Sequence, residues 1–491
     1  MIEIVQEARK HGDKICIPID GKKYSYREVV SSAERIASLL LNGRADLNET
    51  RISFMVSPGP AYVATLWGIW LAGGVAVPLC LSHPPPSLKY VLEDTGSQCV
   101  IVSADFEALL SSLCREKDLR LVVLSSEIEV EKVSFPDIKP DRRALILYTS
   151  GTTNLPKGVV TTHHNLNSQI ATLVKAWEWS HHDHILCVLP LHHVHGIINV
   201  VSCSLWAGAR CEFLPAFSAN QVFEIFLRGD VNVFMAVPTI YFKLIAAWEE
   251  EIGPIQKKIS LALHAFRLMV SGSAALPVSV MNKWEEISGH RLLERYGMTE
   301  LGMAISNPYR GERKAGFVGL PLAGVSVRLC DDNDKQVKGE PGEIQVRGEN
   351  VFLEYWKQPD ATEKSFTKDG WFKTGDIATI ENGYYRILGR NSVDIIKSGG
   401  YKISALEIEE VLRNHPSVKD CAVVGLDDEE WGEVVAAALI LNRELSVDEI
   451  RSWLKEQLPV YRIPRKFLVV DDLPTNTMGK VTKNEVKKLF I

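Results

Sequence analysis

A polar segment that follows a short apolar run carries side chains able to hold a phosphate chain. The apolar run covers residues 144–147, and the segment at 148–158 reads Tyr-Thr-Ser-Gly-Thr-Thr-Asn-Leu-Pro-Lys-Gly. Hydroxyl and backbone N–H groups donate to phosphate oxygens, Lys157 supplies a positive charge, and Gly151 lets the backbone approach a bound anion. The pattern predicts a buried strand ending in a phosphate-binding loop. The candidate contacts are Thr149, Ser150, Gly151, Thr152, Thr153 and Lys157.

This loop differs from a Walker-type nucleotide loop. No second glycine precedes Lys157, and Gly158 stands where serine or threonine would hold magnesium. The segment instead resembles the signature of the adenylate-forming superfamily, which comprises acyl-CoA synthetases, luciferases and peptide-synthetase adenylation domains. The resemblance implies that ATP is bound here with Mg²⁺, and that Thr152 is one of the groups near the metal.

Two further motifs match the same superfamily in the same order. Residues 267–277 form an apolar run that enters a small-residue turn, and residues 294–300 read Glu-Arg-Tyr-Gly-Met-Thr-Glu. The resemblance implies that Tyr296 stacks on adenine, Thr299 contacts the α-phosphate, and Glu300 helps to hold magnesium with a hard oxygen ligand. The remaining nucleotide contacts implied by these motifs are Gly272, Ser273, Ala274 and Gly297.

A segment at 369–376 resembles the one whose aspartate accepts both ribose hydroxyls, which makes Asp376 the candidate. The hinge of the superfamily is matched by residues 389–400, with Arg390 on the ribose and Gly399 and Gly400 lining a channel for the pantetheine arm of CoA. One extra residue separates Arg390 from Gly399, so the pivot is left open. The candidates are Ser392, Val393 and Asp394.

Residues 474–480, Pro-Thr-Asn-Thr-Met-Gly-Lys, match the loop that carries the catalytic lysine of the superfamily. The resemblance implies two half-reactions. A carboxylate first attacks the α-phosphate of ATP, with Lys480 bridging the two groups, and releases pyrophosphate. The thiol of CoA then attacks the acyl-adenylate and releases AMP, after the lid carrying Lys480 has swung away.

Arg295 indicates the acid substrate, because most of the superfamily has a small residue there. A guanidinium is an always-charged planar fork that suits a second carboxylate. Together with residues 190–196 and 270–277, the motif at 293–300 is most similar to malonyl-CoA and methylmalonyl-CoA synthetases. The predicted substrate is therefore malonate or methylmalonate. The resemblance places His193 as a wall between acid pocket and thiol channel. The other predicted pocket residues are Arg267, which could assist Arg295, and the apolar Val237 and Met303.

Other interpretations remain open on the sequence alone. Arg295 could pair with Glu294 or another acid in a synthetase for uncharged short or medium-chain acids. The chain could also load a carrier protein, or sense an acyl-adenylate without turnover, although Lys480 argues against a sensor. If His193 and His195 shared one face of a strand they could hold zinc, but no nearby Cys, Asp or Glu completes a ligand set.

Length and composition limit the possible architectures. A chain of 491 residues exceeds one hydrophobic core, and 46% hydrophobic with 24% charged residues is typical of globular proteins. We expect an α/β protein of the adenylate-forming fold, with an N-terminal domain of α/β layers at 1–389 and a smaller, mobile α+β lid at 390–491. A net charge of −6 gives no general attraction to nucleic acid. We expect small-molecule substrates and a monomer or homodimer.

Compartment is suggested by the cysteines and the N-terminus. The nine cysteines are scattered without Cys-x-x-Cys pairs, which is typical of a reducing compartment. The first residues carry acids and lack both a signal core and a transit pattern, so the cytosol is expected. Residues 52–88 contain no Asp, Glu, Lys or Arg, but their Pro and Gly positions favour a buried helix-turn-strand unit over a membrane span.

Several elements that position these motifs are also predicted. Ser25 and Glu28 have the spacing of a capping box before a helical pattern. Apolar runs at 99–102 and 121–124 favour parallel strands joined by helices, and the polar residues 126–141 favour a surface excursion. In the lid we expect helices at 405–413 and 446–457 and strands at 421–425 and 434–440.

Overall fold

The computed structural model describes residues 2–19, 21–125, 133–149, 156–399, 401–476 and 480–490. The first part of the chain alternates strands and helices. Its elements are α1 (Glu3–His11), β1 (Ile15–Ile19), β2 (Lys22–Ser25), α2 (Tyr26–Leu41), β3 (Arg51–Met55), α3 (Pro60–Leu71), β4 (Val75–Pro78), α4 (Pro85–Thr95), β5 (Cys99–Val102), α5 (Glu107–Glu116), β6 (Arg120–Val123), β7 (Arg143–Thr149), β8 (Lys157–Thr162) and α6 (His163–Ala176). A 3₁₀ turn, Ala104–Phe106, precedes α5.

The second part repeats this alternation. Its elements are β9 (His184–Cys187), a π-helix (His195–Ser202), α7 (Cys203–Trp206), β10 (Arg210–Phe213), α8 (Ala219–Leu227), β11 (Val233–Ala236), α9 (Pro238–Glu250), α10 (Gly253–His264), β12 (Leu268–Ser271), α11 (Val278–Ser288), β13 (Leu293–Met298), β14 (Gly302–Ser306) and β15 (Leu320–Pro321). A mostly extended part follows, with β16 (Ser326–Cys330), β17 (Gly342–Arg347), β18 (Glu354–Tyr355), α12 (Pro359–Lys364), β19 (Phe372–Glu381) and β20 (Tyr384–Arg390).

The C-terminal elements form the lid. They are β21 (Ile395–Ser398), β22 (Tyr401–Ser404), α13 (Ala405–Arg413), β23 (Val418–Asp428), β24 (Gly432–Leu441), α14 (Val447–Gln457), a 3₁₀ turn (Val460–Arg462), β25 (Lys466–Val469) and α15 (Lys483–Lys488). The lid strands form one sheet in the order β22-β21-β24-β23, with β25 parallel to β24.

Two seven-stranded sheets dominate the N-terminal part. Their strand orders are β18-β8-β7-β4-β3-β5-β6 and β10-β9-β11-β12-β13-β14-β15. Strands β3 to β6 pair in parallel, as do β9 to β13, because helices connect them across the sheet faces. One hydrophobic core joins the two sheets through α2, α3 and the π-helix. A four-stranded antiparallel sheet, β16-β17-β19-β20, leads to the lid.

The predicted α/β layers and the smaller C-terminal α+β part are present, and local predictions hold in detail. Ser25 and Glu28 form the predicted capping box at the start of α2. Residues 52–88 fold into β3, α3, β4 and the start of α4, and none of the helices in the described part of the chain is long and apolar enough to cross a bilayer. The predicted surface excursion lies partly outside the described residues, since 126–132 are not among them.

The lid has its own hydrophobic core, which includes Ile408 and Leu454 from its helices and Val423 and Leu439 from its sheet. The predicted helices and strands are all present, and Ser446 caps α14. A separate core is what an independently moving domain requires. The boundary at residues 389 and 390 stays a prediction.

One predicted element is wrong. We expected His193 and His195 on a strand, but His193 lies in a turn and His195 begins the π-helix. A short buried apolar run such as 197–201 does not distinguish strand from helix by its periodicity. The described residues contain no group of three His, Cys, Asp or Glu side chains arranged to hold a metal.

Each of the nine cysteines is buried and unbridged. Burial raises the pKa of Cys16 and Cys187 to about 12 and that of Cys99 to about 11, because a thiolate is costly away from water.

Candidate active site

Three predicted motifs follow the carboxyl ends of strands. The phosphate loop follows β7, the small-residue turn at 272–277 follows β12, and Thr299 and Glu300 lie in the turn after β13. Ligands in open α/β sheets bind outside the carboxyl ends of the strands, so the topology brings the motifs to a common cleft.

The phosphate end of this cleft is organised by Tyr355. Thr149 and Lys157 pair across β7 and β8, and the Lys157 ammonium lies 5.0 Å from the centre of the Tyr355 ring. The Tyr355 hydroxyl donates a hydrogen bond of 2.9 Å to Glu300. Sequence reasoning missed Tyr355, because an isolated tyrosine in β18 carries no motif. Ser150, Gly151, Thr152 and Thr153 lie outside the described residues.

Glu300 is the candidate protein ligand for magnesium, and its surroundings fit that role. The side chain is 6% exposed, and burial raises the pKa of its carboxyl group, although the Tyr355 hydroxyl opposes this. A nearby cation would relieve that burial cost. Since the described residues offer no cluster of three acidic or imidazole groups for a metal, phosphates and water would supply the other ligands.

The ribose end is built around Asp376. Tyr296 donates from its hydroxyl to Asp376 at 2.6 Å, and Arg390 donates from Nε to the other carboxylate oxygen at 3.2 Å. Arg390 also donates to the Thr374 carbonyl at 3.1 Å. Both oxygens of Asp376 therefore accept hydrogen bonds from protein side chains. A bound ribose has to replace at least one of these hydrogen bonds or share its acceptor.

The acid end of the cleft contains a buried, unpaired arginine. Arg295 is 3% exposed, and its Nε and Nη2 atoms have no hydrogen-bond partner among the described residues. Burial lowers the pKa of Arg295 to about 9, and Glu294 opposes this shift. A buried charge without a partner costs several kcal/mol, which is a large fraction of the free energy of unfolding of a typical domain. Such an arrangement is typical of a site that a ligand completes.

Glu294 does not neutralise this arginine. Successive side chains of a strand point to opposite faces, and Glu294 accepts a hydrogen bond of 3.1 Å from the Leu276 N–H. Burial raises the pKa of Glu294 to about 8, so its carboxyl group is largely protonated at neutral pH. No ion pair of Arg295 with any acid is present in the part of the chain that the structure describes. Among the described residues, Arg295 therefore lacks the acidic partner that a synthetase for uncharged acids would need.

Gly272 and His195 lie around the guanidinium. A Cβ atom on Gly272 would overlap the Arg295 guanidinium, so a larger residue there would displace that group. Ser273 has a φ of +73° and places its Oγ 3.2 Å from His195 Nδ1. Burial, and then the charge of Arg295, lowers the pKa of His195 well below its usual value, so the imidazole is neutral. Sequence reasoning weighed His195 only as a zinc ligand.

The other predicted pocket residues are placed as follows. Burial lowers the pKa of His193 to about 4, and its ring centre lies 4.1 Å from that of His192. Met303 is buried in β14, next to Gly297. Ala274 is half-buried in the turn after Ser273.

The structure does not support the predicted contact of Arg267 with the acid substrate, because its guanidinium binds other groups of the protein. It donates from Nε and Nη2 to Asp183, at 2.5 and 2.7 Å, and from Nη1 to the Trp177 carbonyl at 3.0 Å. Its guanidinium carbon also lies 5.7 Å from the centre of the Trp179 ring. Asp183 is almost fully buried, so this pair fastens β12 to the segment before β9. The Arg267 guanidinium is therefore not free to form two parallel hydrogen bonds with a substrate carboxylate.

The lid residues of the site lie at its surface. Lys480 is exposed, and its backbone exchanges hydrogen bonds with Asn476 at 2.9 and 3.0 Å. Gly399 has a φ of +56° and donates to the Trp431 carbonyl at 2.9 Å, while Gly400 lies outside the described residues. The lid meets the large domain where Glu410 accepts a hydrogen bond of 3.0 Å from the Val278 N–H, at the start of α11.

Fold and site together define an adenylate-forming enzyme, and comparison with known proteins agrees. Residues 4–356 match the AMP-binding enzyme family and residues 407–480 match its C-terminal domain. The chain belongs to the AMP-binding enzyme family.

Among its relatives is the mitochondrial malonate–CoA ligase ACSF3 of Xenopus laevis, 44% identical over 94% of this chain and 88% of the relative. Malonate–CoA ligase of Arabidopsis thaliana is 42% identical over 98% of this chain and 87% of the relative. The crystal structure of ATP-bound MatB from Rhodopseudomonas palustris is similar with a TM-score of 0.90 and 32% identity, covering 99% of both chains.

The Gly272→Ala variant tests the space around Arg295. The added methyl group would displace the guanidinium, and such overpacking costs about 1–3 kcal/mol. We expect kcat/KM for the acid substrate to fall by about tenfold or more, with a smaller change for ATP. Gly253→Ala is the matched control, since nothing lies within 4 Å of its Cβ position. Equal losses in both variants would contradict the interpretation.

Proposed function

We propose that this protein ligates malonate to coenzyme A with ATP, releasing AMP and pyrophosphate. The observation that carries the proposal is Arg295, a buried guanidinium without a partner at the acid end of an adenylate-forming cleft. Two relatives at 42 and 44% identity are named malonate–CoA ligases, which supports the same substrate.

The choice of a dicarboxylate follows from electrostatics. A charge-assisted hydrogen bond contributes roughly 1.5–3 kcal/mol and also removes the penalty of an unpaired buried charge. One carboxylate of malonate would pair with Arg295, and the other would face the α-phosphate. A monocarboxylic acid such as butyrate satisfies only the reacting end and leaves the guanidinium unpaired. The pocket therefore selects against it.

The first half-reaction forms the acyl-adenylate. The free carboxylate of malonate attacks the α-phosphate of ATP, and the bond to pyrophosphate breaks. Positioning and charge neutralisation dominate such a displacement, and this is why the site offers cations and hydroxyls rather than a nucleophile. We assign Lys480 to the bridging position between carboxylate and α-phosphate, Thr299 to the α-phosphate and Glu300 to magnesium.

The second half-reaction transfers the acyl group. The CoA thiol attacks the carbonyl of malonyl-adenylate, a thioester bond forms, and AMP leaves. The lid has to move between the two steps, because Lys480 serves the first and the loop at Gly399 and Gly400 serves the second. We place the start of the lid at residue 390, with the large domain at 1–389.

The proposed function is tested by measuring pyrophosphate release with ATP, Mg²⁺ and a panel of acids. Malonate and methylmalonate, succinate, acetate and butyrate cover one and two carboxylates at several lengths. We expect release with malonate and little with acetate or butyrate. A preference for butyrate would exclude the dicarboxylate assignment while leaving the adenylate-forming reaction in place. Comparing free CoA with an acyl carrier protein as acceptor tests the carrier-loading alternative.

The Glu300→Gln variant tests the magnesium role. It removes a charged oxygen ligand but leaves Tyr296 and Asp376 to bind adenine and ribose. We expect magnesium-dependent turnover to fall more than nucleotide affinity, with partial recovery as Mg²⁺ is raised. Tyr355→Phe is the matched control, because it deletes the hydrogen bond to Glu300 without changing charge. A loss of ATP affinity that high magnesium leaves unchanged would contradict the assignment.

Compartment and assembly remain predictions. A cytoplasmic location was expected from the sequence, whereas the Xenopus laevis relative is named as mitochondrial. A monomer or homodimer is proposed for the oligomeric state.

A further inference from the structure

A buried lysine lies close in sequence to the proposed catalytic lysine. Lys483 begins α15, three residues after Lys480, and is 9% exposed. Its ammonium lies 2.8 Å from Asp394 Oδ1 and 2.7 Å from Glu409 Oε1. Most surface lysines are solvated, so a lysine held between the buried Glu409 and the half-buried Asp394 is unusual.

Asp394 connects this lysine to the hinge. Its other oxygen accepts a hydrogen bond of 2.9 Å from the Arg390 N–H, and its backbone N–H donates to the Arg390 carbonyl at 2.7 Å. The Asp394 carbonyl accepts from the Ala405 N–H at 2.8 Å, at the start of α13. Asp394 therefore touches both Arg390, which binds the ribose aspartate, and the first helix of the lid.

Glu409 connects the same lysine to the lid core. Glu409 Oε1 accepts a hydrogen bond of 2.8 Å from the Val423 N–H of β23, and Oε2 lies 3.4 Å from Arg413. Burial alone would lower the pKa of Lys483, but Glu409 and Asp394 outweigh it and raise the pKa. A raised pKa keeps the ammonium charged at neutral pH.

The segment carrying Lys480 is fixed on both sides of its tip. Thr475 bridges to Val481, and the Thr482 N–H donates to the Pro474 carbonyl at 2.8 Å. Lys483 directly follows Thr482, so its ion pairs with Asp394 and Glu409 lie at the base of the Lys480 segment. Without the ion pairs of Lys483, the base is still held by these backbone hydrogen bonds and by the packing of Leu473 and Val486 in a lid core.

We propose that Lys483 is a positioning residue for adenylation, which clamps the Lys480 segment to Asp394 and Glu409 so that Lys480 moves with the hinge as one rigid body. The inference rests on the proposed function of Lys480. It also ties Asp394 to the lid, because its carboxylate pairs with Lys483 of α15 and its backbone carbonyl accepts from the Ala405 N–H of α13. Rotation at residues 391–393 would then have to break the two hydrogen bonds between Asp394 and Arg390.

The reason for a charged clamp is geometric. A buried ion pair often stabilises no more than apolar packing of the same volume, so its value lies in defining one arrangement. Here the ammonium has to sit between two carboxylates that belong to the hinge and to α13. A displacement of about 1 Å in a reacting group can cost about a hundredfold in rate, so small errors at the base matter at Lys480.

The test compares the two half-reactions in Lys483→Met and Lys483→Arg. Adenylation is followed as acid-dependent pyrophosphate release, and thioester formation is started from presynthesised acyl-adenylate and CoA. We expect Lys483→Met to slow adenylation by about a hundredfold and thioester formation by less than about threefold. Lys483→Arg keeps the charge and is expected to recover most of the adenylation rate. Lys488→Met, an exposed lysine of the same helix, is the matched control.

A purely structural role predicts something different. If Lys483→Met lowers both half-reactions by the same factor, or leaves adenylation unchanged, the positioning role is wrong. If Lys483→Met does not fold, Asp394→Asn is the second test. It weakens the ion pair of Lys483 with Asp394 and keeps the pair with Glu409. Adenylation must then fall more than thioester formation. The ratio of the two half-reaction rates is measured with whichever acid the wild type activates. If the malonate assignment is wrong, the wild type shows this by activating another acid, and the test of Lys483 is unaffected.

Discussion

Replacing Lys480 with alanine is expected to slow adenylation by several orders of magnitude while thioester formation from presynthesised malonyl-adenylate largely survives. The ammonium serves only the step in which negative charge gathers between the carboxylate and the α-phosphate. The side chain is exposed, so the free energy of unfolding should barely change. Single-turnover kinetics on each half-reaction, with a thermal melt of the same preparation, measure both effects.

Lys419→Ala is the matched control for this variant. Lys419 is another exposed lysine of the lid, at the start of β23, and its loss should leave both half-reactions unchanged. Equal losses in the two half-reactions of Lys480→Ala would count against a lid that serves them in two positions.

Replacing Arg295 with alanine is expected to reduce kcat/KM for malonate by about two orders of magnitude or more. The variant loses a charge-assisted hydrogen bond and leaves the distal carboxylate buried without a partner, which together cost roughly 3 kcal/mol. The free protein should not be destabilised, since it loses a buried unpaired charge. Kinetics with malonate, methylmalonate and butyrate, together with the unfolding free energy, give the comparison.

Arg295→Lys separates charge from geometry. An ammonium keeps the positive charge but cannot form two parallel hydrogen bonds with a carboxylate, so we expect partial recovery of malonate turnover. Arg313→Lys is a suitable control, because Arg313 is half-buried and donates to the carbonyls of Pro308, Tyr309 and Arg291. If alanine at position 295 leaves malonate turnover intact, the dicarboxylate assignment has to be abandoned.

Local signals in the sequence predicted most of the fold. The capping boxes at Ser25 and Ser446 marked helix starts because a side chain and a backbone N–H satisfy each other within four residues. Short apolar runs marked the parallel strands. The π-helix at 195–202 was missed, because all of its residues are buried, the polar His195, Asn199 and Ser202 included, and so short a buried run does not separate helix from strand.

The site was predicted by type of residue but not by contacts. The sequence indicated a guanidinium at position 295, yet its lack of a partner depends on Glu294 pointing to the other face of β13. Arg267 was predicted only to assist Arg295, and the packing shows that its guanidinium is paired with Asp183. Tyr355 reaches Glu300 across 55 residues, a separation that no local pattern encodes.

The burial of all nine cysteines has a consequence for side reactions. Malonyl-adenylate is a mixed anhydride, and any accessible thiolate would be an acceptor for its acyl group. Inside this protein all nine sulfur atoms are buried, and burial raises the pKa of Cys16 and Cys187 to about 12. The incoming CoA thiol therefore meets no competing sulfur of the enzyme. Self-acylation, which would inactivate the catalyst and waste activated acid, is suppressed by packing.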